Sequence, residues 1–551
     1  MSNASMRSHT VWLDQDDVHA PMRFADVFNA AVAFIDRHVE EGRGEKLALL
    51  AGDRKITYAQ LAENAARCGN VLKDLGLSRG DRVLMASVDT PEFFYVFWGA
   101  VKAGLVAVPV NTQLKDPEYR VLIEDSGCAA VYVDCSQEPV AAARACGMDV
   151  SRVLSKDGVL ARMREASPEL APAETSGNDD CFWLYSSGST GRPKGAVHVH
   201  KDMAVTSTRY GANTMGVRSD DVVFCASKLF FSYGFGGGMT FPLWVGATIV
   251  LCDELPSAEM AFRMIETYRP TVYFGMPTLY RNQLQLAETR SADMSSIRLV
   301  PSAGEQLPEA VFHKWKERFG VPILDGIGSS EVLHVFISNR PDDIRPGTSG
   351  RPVVGYEVKI VGENGQTLGP NEIGVLMVKG QSLARCYWNN PEKTASTMLG
   401  EWLNTGDMYY YDEDNYYVSV GRADDMIKVG GMWCSPNEIE NALISHPKVA
   451  EAAVIGQKDD DGLLKPAAFI VLHDRNDAND AIKEELKQFC KEKLARYKYP
   501  RWFTFMDQLP KTGTGKLQRF RLHSMPRDAQ ASGYVAQGAA VRADALRVDA
   551  V

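Results

Sequence analysis

An α/β fold of two unequal parts is predicted by three features of the sequence. From about Phe24 to Leu170 short apolar runs alternate with helical patterns, as at Arg82–Ala86, Val106–Val110 and Ala130–Val133, the texture of βαβ units in a parallel or mixed sheet. A second such series follows at Val222–Ala226, Thr248–Leu251, Val272–Phe274, Arg298–Ser302 and Pro322–Leu324. Between about 350 and 420 the pattern changes to short strands broken by Gly and Asn, among them Val358–Val361 and Gly374–Val378, which predicts a small β-rich subdomain. A further compact α/β stretch ends near Leu522. The expected division is therefore a large N-terminal domain over 20–423, a small α+β C-terminal domain over 424–525, and a poorly ordered tail over 526–551 that is rich in Ala, Gly and Val.

The length of 551 residues exceeds what one hydrophobic core holds, in keeping with that division. Hydrophobic residues make up 45% and charged residues 24%, which describes a soluble globular protein. A net charge of −10 argues against nucleic acid as a partner, because such proteins carry a basic face. The ten cysteines show neither Cys-x-x-Cys nor paired Cys/His spacing, so no zinc site or disulfide framework is expected and a reducing cytoplasm fits. Met1–Asp17 lacks an apolar core of signal-peptide length, and the stretch Met239–Cys252 is short and broken by Pro242 and Gly246. The expectation is a cytoplasmic monomer or homodimer with no membrane partner.

The densest motif is Ser186-Ser-Gly-Ser-Thr-Gly-Arg-Pro-Lys-Gly195. Gly188, Gly191 and Gly195 let backbone N–H groups approach an anion, while Ser186, Ser187, Ser189 and Thr190 supply hydroxyl donors and Lys194 a cation. The preceding apolar Cys181–Tyr185 predicts a buried strand, with the loop leaving its end as phosphate loops do. Pro193 rules out a Walker P-loop, which opens directly into a helix. Downstream, Asp325-Gly-Ile-Gly-Ser-Ser-Glu331 follows an apolar run and ends in a single carboxylate beside two hydroxyls; one carboxylate near a nucleotide is the usual protein contribution to holding Mg²⁺. Pro301-Ser-Ala-Gly-Glu305 reads as a strand end and a Gly turn that lets backbone approach a flat ligand. Trp402-Leu-Asn-Thr-Gly-Asp407 sets an acceptor-only carboxylate after a turn, suited to two vicinal hydroxyls. Gly421-Arg-Ala-Asp-Asp-Met-Ile-Lys-Val-Gly-Gly431 reads as a charged, flexible linker, and Pro510-Lys-Thr-Gly-Thr-Gly-Lys516 presents a lysine on a Gly-rich turn.

Taken in chain order and over this span these motifs resemble those of the acyl-adenylate-forming superfamily, which includes acyl-CoA synthetases and peptide-synthetase adenylation domains; the resemblance covers roughly Phe24 to Leu522. It implies ATP, Mg²⁺ and coenzyme A as ligands, with AMP and pyrophosphate as products. It also implies an adenylating N-terminal domain and a mobile C-terminal domain that rotates about Asp424 between two half-reactions. By the same resemblance Glu331 holds magnesium and Ser330 a phosphate oxygen. Ala303, Gly304, Glu305, Asp325, Gly326 and Ile327 line the adenine pocket. Asp407, assisted by Arg422, holds the ribose. Gly430 and Gly431 let pantetheine pass, and Lys516, with Thr190 and Lys194, serves the adenylating step. Ile327 and Ser330 depart from the superfamily's commoner Tyr and Thr at these places.

The acyl pocket is implied to follow Lys228, where Leu229-Phe-Phe-Ser-Tyr-Gly-Phe-Gly-Gly-Gly238 is strongly aromatic and then open in backbone. Val332-Leu-His-Val-Phe-Ile337 adds one polar side chain among apolar ones. An aromatic wall with a histidine suits a flat ring better than a long alkyl chain. Trp183-Leu-Tyr-Ser-Ser, Ala226-Ser-Lys-Leu-Phe-Phe, Asp325-Gly-Ile-Gly-Ser and Leu333-His-Val-Phe are similar to the versions found in the aryl-acid branch, the benzoate-CoA ligases, which shares Ile327. That likeness implies a pocket bordered by Phe231, Ser232, Tyr233, Gly328, His334 and Ile337. With no carrier domain after residue 525, free coenzyme A is the expected acceptor. A ligase for medium-chain fatty or alicyclic acids is the alternative within the enzymes, and a non-catalytic nucleotide-binding regulator the alternative outside them.

Overall fold

The computed structural model describes residues 8–14, 17–187, 193–429, 432–460, 462–511, 517–523 and 525. The chain divides into two units, one of residues 1–405 with 409–419 and one of residues 406–408 with 420–551.

The first unit is built on mixed sheets. Arg82–Ser87 lies between Val106–Pro109 and Ala130–Asp134 in a parallel array that continues to Val153–Ser155 on one side and Asp180–Ser187 on the other. Beyond Asp180–Ser187 the sheet turns antiparallel through Pro193–Val199 and ends at the two-residue strand Cys386–Tyr387. A second sheet runs Val272–Phe274, Val222–Cys225, Thr248–Val250, Leu47–Ala51 and Arg54–Thr57, parallel except for the last pair. Parallel bridges from Val272 to Leu299 and from Gly275 to Ser302 carry it on to Val300–Ser302 and Ile323–Gly328. The β-rich piece expected near 350–420 is an antiparallel sheet that includes Glu357–Val361, Gly374–Lys379 and Met398–Leu399.

The helices carry their own punctuation. Thr57 opens Tyr58–Asp74 with a capping box, its hydroxyl accepting from Gln60 N at 3.2 Å while the Gln60 side chain accepts from Thr57 N at 3.0 Å. Helix Pro91–Lys102, with sequence PEFFYVFWGAVK, is buried on all sides, as an apolar circumference requires. It crosses Tyr58–Asp74 at two glycines: a Cβ on Gly99 would sit 2.7 Å from both Ala65 O and Gly69 N. Backbone contact there brings Trp98 against Phe34, with ring centroids 5.3 Å apart.

The second unit has a sheet of Val449–Lys458, Leu464–Leu472 and Trp502–Phe505 with helices Pro436–Ile444 and Asp480–Lys493, capped by Ser435 and Asn479. Arg519 donates through Nη2 to both Glu440 oxygens at 2.8 Å, and Glu440 also accepts from Val454 N at 2.7 Å, which ties Arg519–His523 to the sheet. The expected flexible linker is short: a strand runs to Arg422, one 3₁₀ turn covers Ala423–Asp425, and the next strand begins at Ile427. Among the described residues no helix is long and apolar enough to cross a membrane.

The glycine crossing gives a test in which two effects oppose. Gly99→Ala gains up to about 1 kcal/mol in helix propensity, but the added methyl must push two backbones apart, an overpacking cost of about 1–3 kcal/mol. Thermal unfolding is expected at a lower midpoint than for the parent, and a midpoint at or above it would mean the helices part freely.

Candidate active site

The site begins at the hairpin of Asp180–Ser187 and Pro193–Val199, whose register sets Pro193 opposite Ser187 and Lys194 opposite Ser186. The buried run Cys181–Leu184 anchors it in the core. Trp388 braces it from the side: its N–H donates to Gly195 O at 2.8 Å and its ring meets Trp183 at 4.3 Å. Lys194 Nζ stands 5.8 Å from the centroid of the Tyr387 ring.

Glu331 lies on a turn after Ile323–Gly328, closed by bonds from Val332 N to Ser329 O and from Leu333 N to Ser330 O, at 3.3 and 3.2 Å. The Tyr387 hydroxyl donates to Glu331 Oε1 at 2.6 Å. His198 Nε2 faces Ser330 O at 2.7 Å, so that nitrogen carries hydrogen, and its Nδ1 lies 2.9 Å from buried Asp202 Oδ2. Lys194, Ser330 and Glu331 thus meet around Tyr387 and His198, two residues the sequence reading missed. His198 and Asp202 were findable as a His-x-x-x-Asp pair straight after the loop motif; nothing local marks Tyr387, which lies nearly two hundred residues downstream.

The segments expected at adenine adjoin this turn. Ser302 pairs with Asp325 across parallel strands, and Ile327 pairs with Ile337. Gly326 and Gly328 are required by close approach, since a Cβ there would lie 2.7 Å from Ile337 O and 2.6 Å from His334 O respectively. Ala303 is buried, and Gly304 has φ +90° with open space where a Cβ would stand. The Glu305 carboxylate is engaged locally, accepting from Thr278 N at 3.1 Å and Thr278 Oγ1 at 2.6 Å. Burial pushes the Asp325 carboxyl up to about 7, against the pull of the Ser302 hydroxyl and of backbone N–H groups at Leu307 and Gly326.

Tyr233 and His334 come together as expected, with rings 5.3 Å apart, and Tyr210 and Phe241 enclose the imidazole further at 5.1 and 4.5 Å. His334 Nε2 donates to Tyr233 O at 3.2 Å, and burial lowers its pKa to about 3, so the ring is neutral. The glycine run needs correcting. It is not open space: a Cβ on Gly236 would collide with the His334 ring, and one on Gly237 would come within 2.8 Å of Phe274. The backbone is bare there because the chain's own rings fill the gap. Ser232 opens the short helix Ser232–Phe235, and Phe231, half-buried, packs on Phe230 with centroids 4.6 Å apart.

In the second unit Arg422 Nη1 donates to Asp407 Oδ1 at 2.8 Å, so these two predicted ribose residues are neighbours. The turn expected before Asp407 is not a turn: Trp402–Tyr411 is one continuous strand, within which Gly406 takes a left-handed conformation at φ +70° that favours glycine. Asp424 is exposed in the 3₁₀ turn. Gly188, Ser189, Thr190, Gly191, Gly430, Gly431 and Lys516 lie outside the described residues. Among the described residues no group of three His, Cys, Asp or Glu side chains is arranged to hold a metal. The donor set at Glu331, one carboxylate with the Lys194 cation near the same Tyr387 ring, fits a cation whose other ligands would be phosphate oxygens and water, the habit of Mg²⁺. A separate surface groove of about 600 Å³, lined in part by Ala62, Glu63, Ala66 and Lys102, shares no residue with the site.

Comparison with known proteins agrees along nearly the whole chain. The pattern of the AMP-binding enzyme family matches residues 35–388, and that of the AMP-binding enzyme C-terminal domain matches residues 438–516. The chain is 43% identical over 519 residues to a benzoate–CoA ligase of Thauera aromatica, covering 93% of this chain and 98% of the relative. It is 44% identical over 511 residues to a 4-hydroxybenzoate–CoA/benzoate–CoA ligase of Rhodopseudomonas palustris, covering 90% and 94%. Among solved structures, the anthranilate CoA ligase AuaEII in complex with anthranoyl-AMP is similar with a TM-score of 0.87 at 42% identity, covering 91% of this chain and 98% of that one. A benzoate CoA ligase from Burkholderia xenovorans LB400 is similar with a TM-score of 0.83 at 40% identity, covering 90% and 100%.

Asp325 yields a pH prediction. Its folded pKa of about 7 lies above the roughly 3.9 of an unfolded Asp, so between these values the folded state binds the extra proton and stability falls as pH rises. Asp325→Asn removes that loss: its stability relative to the parent should improve from pH 5 to pH 8 in denaturant titrations. A difference that does not change with pH would refute the buried, protonated carboxyl.

Proposed function

The chain belongs to the AMP-binding enzyme family, and from that membership we propose that it ligates an aromatic carboxylic acid, benzoate or a substituted benzoate, to coenzyme A at the expense of ATP. The observation that carries the reading is the meeting of Lys194 and Glu331 on Tyr387 beside the hairpin of Ser186 and Lys194, with the aromatic enclosure of Tyr233 and His334 beginning three residues after Glu331.

The chemical need is plain. A carboxylate resists attack by a thiol, since it is anionic and would have to expel oxide. In the proposed first step a carboxylate oxygen attacks the α-phosphorus of ATP; the bond from that phosphorus to the bridging oxygen breaks, and pyrophosphate leaves with the electron pair. In the second, the coenzyme A thiolate attacks the acyl carbon of the mixed anhydride and AMP departs, leaving the thioester.

Each residue has a role in this scheme. Lys194 faces the phosphates, where a cation at about 4 Å and an effective dielectric near 20 is worth roughly 4 kcal/mol against an anion. Glu331 would hold Mg²⁺, which when bound neutralises phosphate charge. Ser186, Ser187, Gly188, Ser189, Thr190 and Gly191 surround the phosphates; Asp407 and Arg422 take the ribose; Asp325, Ala303 and Gly304 border adenine. Lys516 joins for adenylation, and Asp424 is the pivot on which the C-terminal domain turns so that Gly430 and Gly431 serve the thiol step. A neutral His334 among rings favours a flat apolar acid, because no charge has to be buried against it.

A panel of acids, read as coenzyme A thioester by mass spectrometry, tests the assignment. Benzoate and hydroxy- or aminobenzoates should exceed octanoate and cyclohexanecarboxylate by at least about tenfold in kcat/KM, a difference of about 1.4 kcal/mol. Clear preference for octanoate would overturn the aryl assignment, and no thioester from any acid would overturn the enzyme.

A further inference from the structure

Glu331 is held both at its side chain and along the backbone of its turn. Its carboxylate accepts from the Tyr387 hydroxyl at 2.6 Å, and three further bonds grip the backbone around it. His198 Nε2 donates to Ser330 O at 2.7 Å, Ala384 N to Glu331 O at 2.7 Å, and the Ser382 hydroxyl to Val332 O at 2.8 Å. The turn is strained as well: Leu333, buried and branched, sits at φ +74°, a left-handed conformation costing roughly 1–2 kcal/mol that persists only where the surroundings over-determine it.

Tyr387 is itself held in the sheet. It is buried, pairs with Ala196 two residues from Lys194, and its N–H donates to Thr394 Oγ1 at 3.0 Å. One buried side chain thus lies beside both charged groups of the site, its hydroxyl donating to Glu331 and its ring centroid standing 5.8 Å from Lys194 Nζ.

We propose that Tyr387 is a positioning residue that fixes the Glu331 carboxylate in advance for the divalent cation carried by the nucleotide, with Ser382 and His198 fixing the turn beneath it. This rests on the reading that ATP binds here with Mg²⁺. A free Glu loses up to about 2 kcal/mol of rotamer entropy when it is fixed, and a phenol already bonded to it lowers that cost before the ligand arrives.

The test compares Tyr387→Phe with the parent by calorimetric titration of ATP over a range of Mg²⁺, and of AMP without metal. The variant should bind ATP at saturating Mg²⁺ about tenfold more weakly, with a higher Mg²⁺ midpoint, while AMP affinity stays within about twofold. In a Glu331→Gln background the same change should have no further effect, a result that a merely structural role would not give. Ser382→Ala, which loosens the turn without touching a charged group, should shift the Mg²⁺ midpoint in the same direction and less, and it carries the test if Tyr387→Phe does not fold. Equal loss of AMP and ATP binding, full additivity with Glu331→Gln, or an unchanged Mg²⁺ midpoint would each overturn the proposal. A parent protein whose ATP binding does not depend on Mg²⁺ would instead overturn the reading beneath it.

Discussion

The site depends on one constraint: the antiparallel register that puts Tyr387 beside Ala196 in the sheet and so brings its phenol between the strand of Lys194 and the turn of Glu331. Residues 194, 331 and 387 come from three distant segments, and no local preference unites them. The sheet does. Trp388 follows Tyr387 and bonds to Gly195 O, so the two-residue edge strand cannot slip by one position without turning the phenol to the other face. A short strand that looks incidental therefore sets the spacing of the charged groups.

From Glu331 to His334 the chain passes from charge to ring wall in three residues, and the left-handed Leu333 makes that change of direction. Beyond it the environment is apolar and neutral. His334 resists protonation, held down to about 3 by burial, and burial raises the Asp325 carboxyl to about 7, so in both groups burial works against the charged form. The charged side chains described at the site, Lys194 and Glu331, lie on the hairpin and the turn. The separation of a dry, aromatic region from an ionic one is what a reaction between a ring-bearing acid and a polyphosphate requires.

Much of this was legible in the sequence because it is written locally. Alternating apolar runs revealed the strands at Arg82, Val106, Ala130 and Val272 to within a residue or two, and the Gly/Ser/Thr run with Pro193 and Lys194 marked the hairpin. The nearness of Tyr233 and His334 also followed from recognised motifs. What stayed hidden was written across the chain. Tyr387, Ser382, Tyr210, Phe241 and Phe274 act through long-range packing that leaves no spacing signal, and Gly236–Gly238 looked like room for a ligand when Gly236 and Gly237 are in fact room for the protein's own rings. The stretch from Gly421 resembled a flexible linker by composition, yet strand pairing around a single 3₁₀ turn orders most of it.

The central claim is that an aryl carboxylate is activated as an adenylate before any thiol takes part. Exchange of labelled pyrophosphate into ATP, measured with Mg²⁺ and benzoate in the absence of coenzyme A, tests it most directly. Exchange should rise with benzoate to saturation and be absent without an acid; no exchange until coenzyme A is added, or exchange indifferent to the acid, would contradict activation as an adenylate.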